Sequence, residues 1–392
     1  MKKFGFLMVC ALLASAIALP VAYAQPAQPK FKSEDEQKLY GEYYNACNVE
    51  KNKTKCFDLA KQFYEKFPTS DYAQYAKNTI INQLGEDFQA ALTAFYSSAP
   101  DAGKWGKLLS VHDEYLKWQP DNVYVKAHTA LAASRSVLAG VYKDLNRTKM
   151  LTEAALQLMT SPTPAEGWKP EQWTPLRESV QAYGNQYLGY YELEQPTPNL
   201  ENAIKFLTLS TQVKSKEALG SKDPNNYALR ASIYQKQYVA LSSEYSALSD
   251  DDKRGEKGKA LLDRINPLID KMIDDYARTV ATAKGESAAA LADQANKSLE
   301  QFWKYRYSNL PGGQAALIKH FEADPLSTAP ERAPASSQPD PSAVAPPTTS
   351  GKTALATSSG GDPTAAKSNG KASPTKGKTT KPAAKKPTKG RR

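Results

Sequence analysis

The stretch Ser33–Pro68, SEDEQKLYGEYYNACNVEKNKTKCFDLAKQFYEKFP, holds the pattern from which the fold follows. Its first half opens on a capping box, Ser33 with Glu36, and then places Leu39, Tyr40, Tyr43, Tyr44 and Cys47 at helical spacing. Its second half puts Phe57, Ala60, Phe63, Tyr64 and Phe67 on one stripe until Pro68 stops it. Between them NVEKNKT is polar and turn-like. The spacing predicts two antiparallel helices joined by a short loop, which brings Cys47 and Cys56 to bonding distance.

The address explains why those two thiols pair. Lys2 and Lys3 precede an apolar run from Phe4 to Leu19, and Ala22-Tyr23-Ala24 supplies the small-x-small pattern of a cleavage site. Residues 1–24 are therefore expected to be a cleaved export signal, followed by a short linker over 25–32. The run is shorter than the roughly 20 residues of a membrane span, so no transmembrane segment is expected in the mature chain. Cys10 leaves with the signal, since Leu7-Met8-Val9 lacks the small residue that precedes a lipidated cysteine. Cys47 and Cys56 then remain alone in an oxidising, periplasmic or secreted setting, where an even count favours a disulfide. Eight residues separate them, which excludes the Cys-x-x-Cys redox spacing, and His112, His128 and His320 are too scattered to complete a zinc site. Closing so short a loop stabilises by roughly 2–3 kcal/mol.

Gly41-x-x-Tyr44 followed by Ala60-x-x-x-Tyr64-x-x-Phe67 resembles the tetratricopeptide repeat, and YEKFPTSDYAQYA is similar to its exported envelope representatives. A second match, YLGYYELEQPTPNLENAIKFLTLS, sets Leu188 and Gly189 in one helix and Ala203, Ile204 and Leu207 in the next. The resemblance implies close helix packing at Gly41, Tyr44, Ala60, Tyr64, Phe67, Leu188, Gly189, Ala203 and Leu207, and a protein or peptide partner. Both loops are longer than the family's. Pro68, Pro120 and Pro224 stand 52 and 104 residues apart, not in steps of about 34. The expected fold is all-α, an irregular α-solenoid of TPR-like hairpins over residues 33–325.

The remaining body fits that expectation. VYVKAHTALAASRSVLAGVYKDL reads as one long helix interrupted only by Gly140, and helices are predicted through TPLRESVQAYGNQYLGYYEL and NYALRASIYQKQYVALSSEYSAL. SDDDKRGEKG reads as a polar loop, and Pro267 is placed to break or kink the helix around it. Residues 326–392 hold ten of the 26 prolines and no Phe, Tyr or Trp, so they are expected to be a disordered tail. Residues 351–392 carry 11 Lys/Arg against Asp362, which accounts for the net charge of +10 of the whole chain, with the body slightly acidic.

Candidate chemistry is sparse, and neither catalytic residues nor a metal or cofactor site is expected. No Gly-x-Ser-x-Gly, His-Glu-x-x-His or phosphate-cradling glycine loop occurs. VHDEY, with His112, Asp113 and Glu114, points its side chains to different helix faces and reads as solvated surface. SDDDK lacks the alternating ligands of a calcium loop. Glu286-Ser287 resembles the Glu-Ser pair of helical lytic transglycosylases, but the Gly-Leu-Met-Gln segment of that family does not follow.

Two features bear on binding. Tyr183, Tyr187, Tyr190 and Tyr191 lie along one predicted helix and Tyr234, Tyr238 and Tyr245 along another. They either pack between helices or line a partner groove. Lys376, Lys378, Lys381, Lys385, Lys386, Lys389, Arg391 and Arg392 form a cationic arm, suited to an anionic envelope surface with salt-dependent affinity. Without interleaved aromatics, it fits no specific nucleic acid. The functional expectation is a non-enzymatic, exported protein-binding scaffold tethered by its tail. The alternative is an envelope-surface or polyanion binder acting mainly through the tail, with a helical cell-wall-active enzyme third.

Overall fold

The computed structural model describes residues 30–99, 101–215, 218–307, 313–333 and 341. The described residues are helical and contain no strand. The expected signal, the first part of the linker and the basic arm lie outside them. The chain forms two compact units, 1–83 and 84–392.

In the first unit, α1 (Glu34–Tyr44) begins where the Ser33 side chain accepts from the Glu36 amide, and its first turn carries Glu34, Asp35 and Glu36 against the helix dipole. The predicted helix does not reach Cys47 in α form. It widens into a π turn over Asn45–Val49. Lys51, at φ 53°, reverses the chain, and Asn52 caps α2 (Lys53–Lys66). Cys47 and Cys56 are bonded across this turn, with Cα atoms 4.8 Å apart. Ala60 and Phe63 of α2 are fully buried, and Tyr43 of α1 lies among them. Helix α3 (Ala73–Tyr96) begins in this unit, and its residues from Leu84 onward belong to the second.

The second unit continues through α4 (Ala102–Trp118), α5 (Val123–Leu138), α6 (Leu145–Leu158), α7 (Pro170–Leu193), α8 (Leu200–Thr211), α9 (Pro224–Ser246), α10 (Asp250–Arg254), α11 (Glu256–Thr282), α12 (Glu286–Tyr307) and α13 (Gly313–Ala323). Helices next to one another in sequence pack together from α4 to α9, and α11 packs on α9, α12 and α13. Asp101, Asn122, Asp144, Asn199 and Asp223 each accept an amide at a helix start, so the starts are written locally. Three expectations are corrected. Gly140, at φ +72°, ends α5 two residues after Leu138, so the predicted helix over 123–145 stops early and its last residue, Leu145, instead begins α6. SDDDK is not loop but α10, capped by Ser249. Pro267 sits inside α11 without ending it.

The largest core joins α9, α11, α12 and α13, where Ile265, Ile269, Met272 and Ile273 meet Leu299, Phe302 and Phe321. Residues 326–333, assigned to the tail by composition, form a strap without helix or strand, with Ala329 packed on this core. Arg278 donates to the carbonyls of Pro325 (2.9 Å) and Ser327 (3.2 Å). Further on, the Tyr238 hydroxyl donates to the Pro341 carbonyl at 2.5 Å.

Candidate interaction surfaces

The glycine-bearing hairpins come out differently. In α7–α8, a Cβ built on Gly189 would lie 2.6 Å from Leu207 Cγ and 3.2 Å from the Ala203 carbonyl. Gly189, Leu188, Ala203 and Leu207 are all buried at this crossing. The same test on Gly41 finds nothing within 4 Å. The close approach expected there is absent, because among the described residues nothing crosses α1 at that point. Ala60 is buried, and Tyr64 and Phe67 are half-buried.

Of the two readings of the tyrosines, packing describes those on α7 and α9. Tyr187 and Tyr238, offered as groove residues, are buried at 0% and 1% exposure. Tyr187 donates to the Leu145 carbonyl, and burial raises its pKa. Tyr183, Tyr190, Tyr191 and Tyr234 are half-buried and pack against the cores of their own helix pairs. Tyr191 donates to Asn146 at 2.9 Å and lies under the Lys149 ammonium at 4.8 Å. These side chains join α6 to α7 and α9 to α11.

Exposed aromatic surface lies instead in the first unit. Tyr44, expected to pack, is 50% exposed, and Tyr75 is 58% exposed. They are the two ends of a continuous run of rings: Tyr44 to Tyr40 (6.4 Å), Tyr40 to Tyr72 (4.3 Å) and Tyr72 to Tyr75 (6.4 Å). Phe31 stacks on Tyr72 at 4.7 Å. Its segment is held there by Lys30 N on Asp71 (3.3 Å) and Lys32 Nζ on the Thr69 carbonyl (2.5 Å). Beneath the run, Tyr43 and Phe63 anchor Tyr40 edge-on at 5.6 Å each. Burial, and then the neighbouring phenols led by Tyr43 and Tyr72, push the Tyr40 pKa from 10 to about 12. Sequence reasoning placed Tyr40 and Tyr44 on the helix stripe, but Phe31 and Tyr72 come from flanking segments that only the fold brings in. Rings fixed by one another lose little entropy on contact, and their hydroxyls tolerate water, as interface anchors require.

VHDEY is corrected as well. His112 is buried, with Nδ1 3.1 Å from Asp113 Oδ1, and Asp113 is held by both carboxylate oxygens on Arg147 Nη2 at 2.7 Å. Burial lowers the His112 pKa, outweighing Asp113. Glu286 and Ser287 stand exposed at the start of α12, after Gly285 at φ +83°. Among the described residues no group of His, Cys, Asp and Glu is placed to hold a metal ion, and no helix is long and apolar enough to cross a membrane. The chain matches no protein-family model, no curated protein and no solved structure.

Proposed function

We propose that the chain is an exported helical-repeat scaffold of TPR-like hairpins that holds a protein or peptide partner on the aromatic face of its first unit. The observation that carries this is the ring run from Tyr44 to Tyr75, solvent-facing at both ends and rigidly supported beneath. Packed helix pairs and the Cys47–Cys56 bond support the repeat and the oxidising compartment. The cationic arm, including Lys385, Lys386, Arg391 and Arg392, tethers the scaffold to an anionic envelope surface.

Photo-crosslinking in cells is the test. A benzophenone amino acid at position 44 or 75 should capture one discrete protein, while the same probe at Met150, 71% exposed but isolated, should not. Equal capture at all three positions, or none at 44 and 75, would sink the aromatic face as a docking surface. The tether is tested separately. Binding of the full chain to anionic vesicles should collapse between roughly 50 and 300 mM salt, and salt-resistant binding would refute an electrostatic arm.

A further inference from the structure

The strap over α11 and α12 is held as a ligand is held. It has no helix or strand of its own over 328–333, and side chains of the helices grip its main chain. Arg278 takes the carbonyls of Pro325 and Ser327, and His320 Nε2 lies 2.8 Å from that of Thr328. One strap side chain goes deep. Arg332 is 10% exposed, its Nη2 is 2.6 Å from Asp274 Oδ1, and its guanidinium lies 5.1 Å from the Tyr307 ring and 6.0 Å from that of Trp303.

The charges beneath show what the slot requires. Asp275 is paired within the helices by Arg230 (2.5 Å) and Arg278 (3.2 Å). Asp270 is held by both Arg306 Nε and Nη2, at 3.0 and 3.1 Å, and accepts from Tyr307 Oη at 2.5 Å, which fixes that ring. Among the described residues Asp274 makes no ion pair with the helices; Arg278 attracts it from farther off, and its paired cation is Arg332 of the strap. Burial pushes its pKa up, ahead of the opposing pull of Arg332. A carboxylate with two neighbouring α12 rings beside its cation, Trp303 and Tyr307 at 5.1 Å from one another, suits a planar guanidinium. The present occupant fits it incompletely, since Arg332 Nη1 is buried without a hydrogen-bond partner.

We propose that this slot is a recognition site for an extended, arginine-bearing peptide, occupied in cis by residues 324–333, which a partner's segment displaces. It lies in the second unit and is independent of the aromatic face, so its failure would leave the crosslinking at positions 44 and 75 unaffected.

The probe is a fluorescent peptide of residues 324–333, DPLSTAPERA, titrated into full-length protein. The tethered strap competes at high effective concentration. The Arg332→Ala chain, with unchanged helical circular dichroism, should therefore bind the peptide at least tenfold tighter than wild type, with a change in tryptophan fluorescence. Replacing the peptide's arginine by alanine, or adding Asp274→Asn to the chain, should remove at least that gain. If Arg332→Ala does not fold, Arg332→Lys keeps the charge but loses the planar fork, and the peptide should again bind it more tightly than wild type. No binding to a folded variant, equal binding to wild type, or equal binding of the arginine-free peptide would overturn the proposal.

Discussion

Hairpins α1–α2 and α7–α8 carry the same device in sequence, a glycine in the first helix and an alanine in the second, yet they are held by different forces. At α7–α8 the glycine is a contact: Gly189 leaves room for Leu207, which is fully buried. At α1–α2 the glycine faces open space, and the pair is tied by Cys47–Cys56 and by Tyr43 packed on Phe63 at 6.3 Å. A glycine in a repeat-like motif is thus a packing residue only where another element crosses it. Where none does, a covalent link and aromatic area supply the stability instead.

The comparison can be broken most forcefully at Leu207. Leu207→Ala should cost about 2–5 kcal/mol, as buried leucines do, read from urea unfolding followed by circular dichroism. A cost well under 1 kcal/mol would mean that the α7–α8 crossing does not rest on this side chain. Next comes the covalent tie. Cys47→Ser with Cys56→Ser should remove about 2–3 kcal/mol, seen as faster hydrogen exchange in α1 and α2 with the α7–α8 amides unchanged. Exchange rising equally in both hairpins would show that the bond does not act locally.

Gly189→Ala should cost about 1–3 kcal/mol through overpacking, and adding it to Leu207→Ala should cost much less than the sum, because the clashing methyls are gone. Strict additivity would remove Gly189–Leu207 as a contact. Gly41→Ala sharpens the contrast with the opposite sign, a gain of about 0.5–1 kcal/mol from helix propensity alone. A loss at Gly41 would reveal a neighbour over α1. The smallest signal is spectroscopic. Tyr40 has its folded pKa raised from 10 to about 12, so its contribution is complete below pH 10 and is lost as pH rises toward 12. Burial raises Tyr187, Tyr227, Tyr276 and Tyr307 as well, so phenolate absorbance should show several of the 22 tyrosines titrating late, and Tyr40→Phe should lower the amplitude of that late step by one phenol.

Much of the fold was legible because its causes are local. Spacing placed α1, α2, α7 and α9. The Ser33 cap marked the start of α1, and a short polar loop between two cysteines was enough to infer their bond. Punctuation was harder to read. Gly140 in a left-handed turn ended α5, whereas Pro267 did not end α11, since neighbouring helices keep that segment in place.

The candidate sites were legible only as residue types. Tyr44 and Tyr187 carry the same side chain at similar helical spacing, yet one is 50% exposed and the other fully buried. Their fates depend on which helix lies opposite, a fact no local pattern contains. Composition put residues 326–333 in the tail for lack of large apolar groups. It could not foresee that Arg332 would meet a carboxylate 58 positions earlier in the chain. His112 was misplaced for the same reason, since its burial and the clamp on Asp113 require Arg147, 34 residues beyond that aspartate.

By itself the sequence determined an all-helical body, its hairpins, its covalent tie and the concentration of positive charge in residues 351–392. Periodicity, capping and composition act over a few residues and need no knowledge of the fold. Only the tertiary structure decided which glycine is tight, which tyrosines meet solvent and which aspartate takes its cation from the strap. Those outcomes depend on distances between groups remote in the chain, and such distances come into being only when the helices pack.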